Sequence, residues 1–191
     1  MAGAGITSER LTQTAAELAD EIGFDKVTVS AVARRLGVKD PSLYAHIQNA
    51  RELKVRVALL ALEELADKAA AALAGRAGKD ALVAFASAYR DYAKKHPGRY
   101  AASQFELDPE TAATSAASRH AEMTRAILRG YDLPEPDQTD AVRFLGSTFH
   151  GYVSLELAGG FRHSPREADA SWGWALDTLD FALTNHPRKP T

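Results

Sequence analysis

Thr28-Val29-Ser30-Ala31-Val32-Ala33-Arg34-Arg35-Leu36-Gly37-Val38-Lys39-Asp40-Pro41-Ser42-Leu43-Tyr44-Ala45-His46 reads as two short helices on either side of a sharp turn. Thr28 suits a helix start, because its hydroxyl oxygen accepts a backbone N–H that the first turn leaves unpaired. Val29, Val32, Ala33 and Leu36 then repeat at helical spacing, and Gly37 ends the run. Asp40-Pro41 sets a capping residue before a proline whose fixed φ fits the first helical turn. A second helix is therefore predicted through about Ile47. Leu43 and Ile47, four apart, face inward, so the polar residues Lys39, Asp40, Ser42, Tyr44 and His46 are left for the other side.

Helices extend in both directions from this pair. Upstream, Leu11, Ala15, Leu18 and Ile22 keep helical spacing until Gly23. Leu18, Ile22, Val32, Leu36, Leu43 and Ile47 are the expected core of a three-helix module. Downstream, a long pattern from Ala50 to about Leu73 dissolves in Ala74-Gly75-Arg76-Ala77-Gly78. Further helices are predicted over about 80–95, 99–106, 108–130, 138–158 and 165–186, with His96-Pro97-Gly98 and the loop Tyr131–Asp137 as breaks. No segment alternates like a strand. The expected fold is all-α, with about nine helices: an N-terminal helix-turn-helix module and a C-terminal helical bundle. The expected domains are 1–49, 50–186 and a tail at 187–191.

Composition narrows the function classes. A chain of 191 residues holds one small module and one larger domain. Hydrophobic residues at 46% and charged residues at 25% fit a folded globular protein rather than a disordered one. No run approaches the roughly 18 apolar residues of a membrane span, and Met1–Gly5 lacks the basic and apolar pattern of a signal peptide. Cysteine is absent, which excludes disulfides and thiolate chemistry and makes the cytoplasm the expected home.

The net charge of −2 does not suggest a polyanion as partner, but its distribution does. Five of the eight Lys and Arg residues in the first 56 positions are Arg34, Arg35, Lys39, Arg51 and Lys54, flanking the helix pair. Phosphate contacts act over a Debye length of roughly 8–10 Å, so local clustering matters more than the sum. A helix of this size, near a second one, fits the DNA major groove and presents its first turn to base edges. Thr28 offers a hydroxyl and free amides to a phosphate, as does the start of the next helix near Ala50–Lys54. The predicted DNA contacts are Thr28, Lys39, Asp40, Pro41, Ser42, Tyr44, His46, Arg51 and Lys54. Asp40 has two readings: its carboxylate caps its own helix, or it accepts from a cytosine amino group. Arg34 and Arg35 read as a solvated face.

On these residues the chain resembles the tetracycline-repressor (TetR) family of transcriptional regulators. The resemblance covers Leu11–Leu53: Ala15-Ala16 and Leu18 before Gly23-Phe24, then Thr28-Val29, Val32-Ala33, Leu36-Gly37-Val38 and Pro41-Ser42-Leu43-Tyr44-Ala45-His46-Ile47. It implies a homodimer on a palindromic operator, released by a small molecule, with Thr28, Ser42, Tyr44 and His46 touching DNA, mostly its backbone. The family often carries a phosphate-gripping lysine where this chain has Ala50, so that role would pass to Arg51 or Lys54. Two later stretches, Tyr89-Arg90-Asp91-Tyr92-Ala93-Lys94-Lys95-His96-Pro97-Gly98-Arg99-Tyr100 and Phe149-His150-Gly151-Tyr152, resemble the subgroup with a C-terminal Trp-His-Gly motif. Phe149 stands in place of its Trp.

After Leu73 the aromatic residues suit a cavity with a few polar groups. The predicted effector contacts are Phe85, Tyr89, Tyr92, Phe105, Met123, Phe144, Phe149, His150 and Tyr152; the alternative is plain core packing. Ser147, Gly151, Ser154 and Ala158 form one small-residue stripe, and Ser171, Ala175, Thr178 and Ala182 another. Such stripes let helices approach closely, and two helices from each of two subunits make a four-helix dimer interface. The alternative is that the stripes pack only within one subunit.

Rival functions lack motifs. An enzyme would need a serine nucleophile, and no Gly-x-Ser-x-Gly turn exists. His46, His96, His120, His150, His163 and His186 never fall at helical metal-ligand spacing, so no metal or other cofactor is expected. A helical small-molecule or haem binder using His120 or His150, or a protein–protein adaptor, is the alternative without DNA binding. The expected partners are thus double-stranded DNA, a small-molecule effector and a second copy of the chain, with no membrane.

Overall fold

The computed structural model describes residues 6–187, so Met1–Gly5 and residues 188–191 of the expected tail lie outside the described residues. The described residues form ten α-helices and no strand: α1 (Ser8–Ile22), α2 (Val29–Leu36), α3 (Asp40–Leu43), α4 (Ala50–Leu73), α5 (Gly78–Lys95), α6 (Pro97–Ser103), α7 (Pro109–Thr114), α8 (Ala117–Leu128), α9 (Asp137–Leu157) and α10 (Ala168–Thr184). Single 3-10 turns lie at Phe24–Lys26 and Arg129–Tyr131.

The helix predicted over about 108–130 is two helices. Ser115 takes an extended conformation (φ −89°, ψ 173°), its hydroxyl donating to the Ala112 carbonyl at 2.8 Å and accepting the Ala117 amide at 3.2 Å. A serine side chain that competes with the backbone in this way ends one helix and starts the next. The other predicted helices form, with ends displaced by a few residues.

Two compact units result. The first takes the chain through Ala66 together with Tyr92–Ser118. Leu11, Leu18, Val32, Leu43, Ile47, Leu53 and Val57 form its core, none more than 5% exposed. Full burial of each such side chain is worth about 1.5–3 kcal/mol. Ile22, expected in this core, is 38% exposed instead. It is the last residue of α1, and the chain turns at Gly23 (φ 94°) to send Phe24 inward in its place.

Within this unit α6 lies against α1 at backbone contact. The Asp20 carboxylate on α1 accepts the Arg99 amide at 2.9 Å and faces His96 Nδ1 at 3.0 Å. Arg99 Nε also lies 3.1 Å from it as an ion pair, while Arg99 Nη1 donates to Glu64 of α4 at 2.9 Å. The Tyr92 hydroxyl donates to the same Glu64 at 2.9 Å. One carboxylate thus caps the start of α6 from another helix, satisfying an amide that α6 itself cannot.

The second unit takes Asp67–Asp91 together with the chain from Arg119 onward. Leu82, Phe85, Leu128, Leu145, Phe149, Trp172, Leu176 and Leu179 make its core. A buried Arg90 is held by both oxygens of Glu156 (2.6 and 2.7 Å) and by Asp169 (2.7 Å). Those carboxylates, Glu156 foremost, push the Arg90 guanidinium upward.

Candidate nucleic-acid interface

The helix pair is set by local chemistry. The Thr28 hydroxyl accepts the Ala31 amide at 3.1 Å and starts α2. Gly37 closes it in the left-handed region (φ 71°, ψ 30°), with Val38 N donating to Ala33 O at 3.0 Å and Gly37 N to Arg34 O at 3.2 Å. This pair of bonds is a Schellman motif, and a side chain at position 37 would strain it.

The next helix is shorter than its spacing suggests. Regular α3 stops at Leu43, after which His46 N and Ile47 N both donate to Leu43 O, at 2.9 and 3.1 Å. The i→i+3 bond tightens this last turn. Tyr44 keeps near-helical angles (φ −69°, ψ −8°), so the outward face continues. Leu43 and Ile47 are buried beneath it, while Lys39, Pro41, Ser42 and Ala45 are exposed and His46 is half-buried. Tyr44 is 54% exposed.

Asp40 does not cap its helix with its side chain: Lys39 is the N-cap, and no side-chain cap bond is made there. The Ser30 hydroxyl of α2 donates to Asp40 Oδ2 instead. Arg35 of α2 pairs with Glu21 of α1, a surface contact that lowers the carboxyl and raises the guanidinium, in each case chiefly through the hydrogen bond between them.

At the start of α4, Asn49 Oδ1 accepts the Glu52 amide at 2.9 Å and Glu52 accepts the Gln48 amide at 2.6 Å, a reciprocal cap. The Gln48 amide is also the main reason the Glu52 carboxyl sits low. Arg51 and Lys54 fold back onto rings. The Arg51 guanidinium lies 5.3 Å from the Phe105 centroid, and Lys54 Nζ lies 5.2 Å from that of Phe24. These rings meet edge-on at 5.7 Å.

The nine residues predicted for an effector divide between the units. Tyr92 and Phe105 belong to the first, each already engaged as described. In the second, Phe85 is buried against Tyr89 (4.9 Å between centroids) and Phe149 (6.5 Å), with Met123 at the edge of the same cluster. The Tyr89 hydroxyl is bonded to His120 Nδ1. Tyr152 meets Trp172 at a tilt of 53°, 4.8 Å between centroids, and donates to Ala168 O at 2.6 Å. His150 and Phe144 are exposed. Trp172 and His120 are members of this constellation that the aromatic spacing did not single out for effector contact. A half-buried hydroxyl–imidazole pair depends on a fold contact 31 residues apart, which no periodicity reveals.

Along α9 and α10, Ser147, Ala158, Thr178 and Ala182 are exposed, and Gly151, Ser154, Ser171 and Ala175 half-buried. Large apolar residues surround them in the open: Phe144, Leu155, Trp174 and Phe181 are each more than half exposed.

Comparison with known proteins bears on what this arrangement is for. Residues 11–54 match the family model of bacterial regulatory proteins, tetR family, and residues 82–179 match that of the tetracyclin repressor-like C-terminal domain. The chain belongs to the TetR family. It is a DNA-binding transcriptional regulator of that family, in which ligand-responsive repression and dimers are typical. Its relatives include the HTH-type transcriptional regulator Rv0681 of Mycobacterium tuberculosis, 37% identical over 82% of this chain and 72% of that one. Another is the HTH-type regulator YobS of Bacillus subtilis, 28% identical over 94% and 90%. A TetR variant of Acinetobacter baumannii, crystallised with minocycline, shares the fold: TM-score 0.72, 22% identity, covering 97% and 100%. The matched N-terminal segment contains α2, α3 and the start of α4, so the outward face of this TetR-family chain lies inside it. Family members are regulators rather than enzymes. No helix among the described residues is long and apolar enough to cross a membrane.

Proposed function

We propose that this regulator is a cytoplasmic repressor that binds a palindromic operator as a homodimer and leaves it when a small molecule binds the second unit. The observation that carries the reading is Tyr44: a large ring more than half exposed, held on a turn anchored by the fully buried Leu43. Ser42, Tyr44 and His46 serve as contacts to the DNA backbone, with Thr28 offering the free amides of the α2 start. Lys39, Asp40 and Pro41 meet the groove first. Arg51 and Lys54, resting on Phe105 and Phe24, swing to phosphates from there, a modest step because an exposed cation–π contact is worth about 0.5–1 kcal/mol.

The functional division runs at residue 49/50, with the helix-turn-helix module before it and effector binding and dimerisation after it; Arg51 and Lys54, at the start of α4, are phosphate contacts just beyond that boundary. The exposed apolar residues on α9 and α10, with the small-residue stripes beside them, support a four-helix interface with a second copy. Phe85, Tyr89, Met123, Phe149 and Tyr152 are the effector contacts best supported, being packed in one apolar cluster with the polar Tyr89–His120 pair in it. Phe149-His150-Gly151 supports membership of the Trp-His-Gly subgroup, with Phe149 in the place of the Trp. An effector that favours one position of α4 over another shifts the spacing of the paired α3 helices, and a difference of about 1–3 kcal/mol suffices.

The test is fluorescence anisotropy of the full chain with duplexes tiling the region upstream of its own gene, between about 50 and 200 mM salt. Saturable binding to one fragment, weakening as salt rises, is expected. Equal, weak binding to every fragment would contradict the operator reading.

A further inference from the structure

We propose that Ser30 and Asp40 form a two-residue reader of cytosine at one position of each operator half-site. The inference rests on the operator reading above and adds to it the identity of a base. Asp40 is the first residue of α3, the end of a recognition helix that meets base edges. A carboxylate there is unexpected, because DNA surrounds it with phosphates of the same sign. Neither capping nor charge pairing accounts for it. It makes no side-chain cap bond, and among the described residues no Lys or Arg lies within ion-pair distance of it.

What does hold Asp40 is the Ser30 hydroxyl, donated from α2 to Oδ2. That bond ties Oδ2 to the neighbouring helix and leaves Oδ1 as the acceptor available to a base edge. An ionised carboxylate donates nothing. In the major groove guanine shows only acceptors, N7 and O6, and thymine an acceptor and a methyl group; both are rejected. Adenine pairs its amino donor with the N7 acceptor beside it, which opposes a second anionic oxygen. Cytosine presents a lone amino donor and is the base this group selects. Ser30 is a positioning residue, and Asp40 the specificity-determining one.

The test is selection from a pool of random duplexes with the full chain as wild type, Asp40→Asn, Asp40→Ala and Ser30→Ala. Asp40 is on the surface of the first unit, and Asn keeps its shape and can still accept from Ser30. The wild type should enrich one cytosine per half-site by about tenfold over guanine, the discrimination one good base contact supplies. Asp40→Asn should move that position alone to adenine, whose N6 and N7 match an amide. Asp40→Ala should flatten that position and keep the rest of the half-site. Ser30→Ala should keep cytosine with weaker enrichment. The same base at every position in wild type and Asp40→Ala would overturn the proposal, as would a wild-type half-site without such a cytosine. A wild type that enriches no sequence at all defeats the operator reading itself, and this proposal with it.

Discussion

Gly98 of α6 faces the Ala19 carbonyl of α1 so closely that a Cβ on it would sit 1.9 Å from that oxygen. The obstruction is backbone on both sides, and neither helix can yield locally because Asp20, the next residue, caps α6 through the Arg99 amide. Gly98→Ala is therefore expected to destabilise the first unit by about 3 kcal/mol or more, the upper end of overpacking costs. Urea unfolding followed by circular dichroism checks this, and an unchanged midpoint would mean the two helices do not touch.

Tyr44 projects from the turn after α3 without a structural duty that its ring must serve. Tyr44→Phe should leave thermal stability unchanged and weaken operator binding by roughly 1.5–3 kcal/mol, the worth of a hydrogen bond to a charged group. Equal gel-shift affinity of the two proteins would rule out a phosphate contact by its hydroxyl.

Arg90 and Glu156 are nearly buried partners, 66 residues apart. Removing Glu156 takes two of the three carboxylate contacts from the buried Arg90 and leaves it only the exposed Asp169. Glu156→Ala is expected to cost about 3 kcal/mol, the lower end for breaking a buried pair. A melting temperature within a degree or so of the wild type would show that the exposed Asp169 alone can hold Arg90.

Trp174 and Phe181 lie more than half exposed on one face of α10. A glutamate at either position would put a charge without a partner into the proposed subunit interface. Trp174→Glu and Phe181→Glu should each shift the light-scattering mass at micromolar concentration from two chains to one. A dimer that survives both changes would place the interface elsewhere.

Alkali tests the buried tyrosines. Burial pushes the Tyr100 phenol up to about 12 from its ordinary value of 10. Tyr92 and Tyr131 are also pushed upward, first by burial and then by their bonds to Glu64 and Asp180. The unfolded chain loses these protons at a lower pH than the folded one. Their contribution is thus complete below about pH 10 and lost as the pH rises through the folded values, for Tyr100 by about pH 12. A shift of that size corresponds to about 3 kcal/mol. Phenolate absorbance should rise in two stages, the later one coinciding with unfolding; a single early rise in a folded chain would contradict the burial.

Legible in the sequence was the chemistry that acts over a few residues. Thr28 starting α2, Gly37 ending it and Leu43 and Ile47 turning inward all follow from neighbours within one or two helical turns. The family followed from the same short stretch. Contacts between distant residues could not be read that way. Nothing at Asp40 pointed to Ser30, ten residues back, and nothing at Arg99 to Asp20, 79 residues away. Arg51 and Lys54 look like free cations in the sequence, and only the fold brings Phe105 and Phe24 beneath them. Ile22 kept the spacing of a core residue, but the chain turned at Gly23 before it could be used.

Methylation protection of guanine N7 by the full chain, on the upstream fragment it binds most tightly, probes entry of the Tyr44-bearing turn into the major groove. Two clusters of protected guanines, centred about 10 base pairs apart or a multiple of that, are expected from a dimer with one such turn per subunit. Tight binding with every guanine N7 still reactive would mean that the segment stays outside the groove.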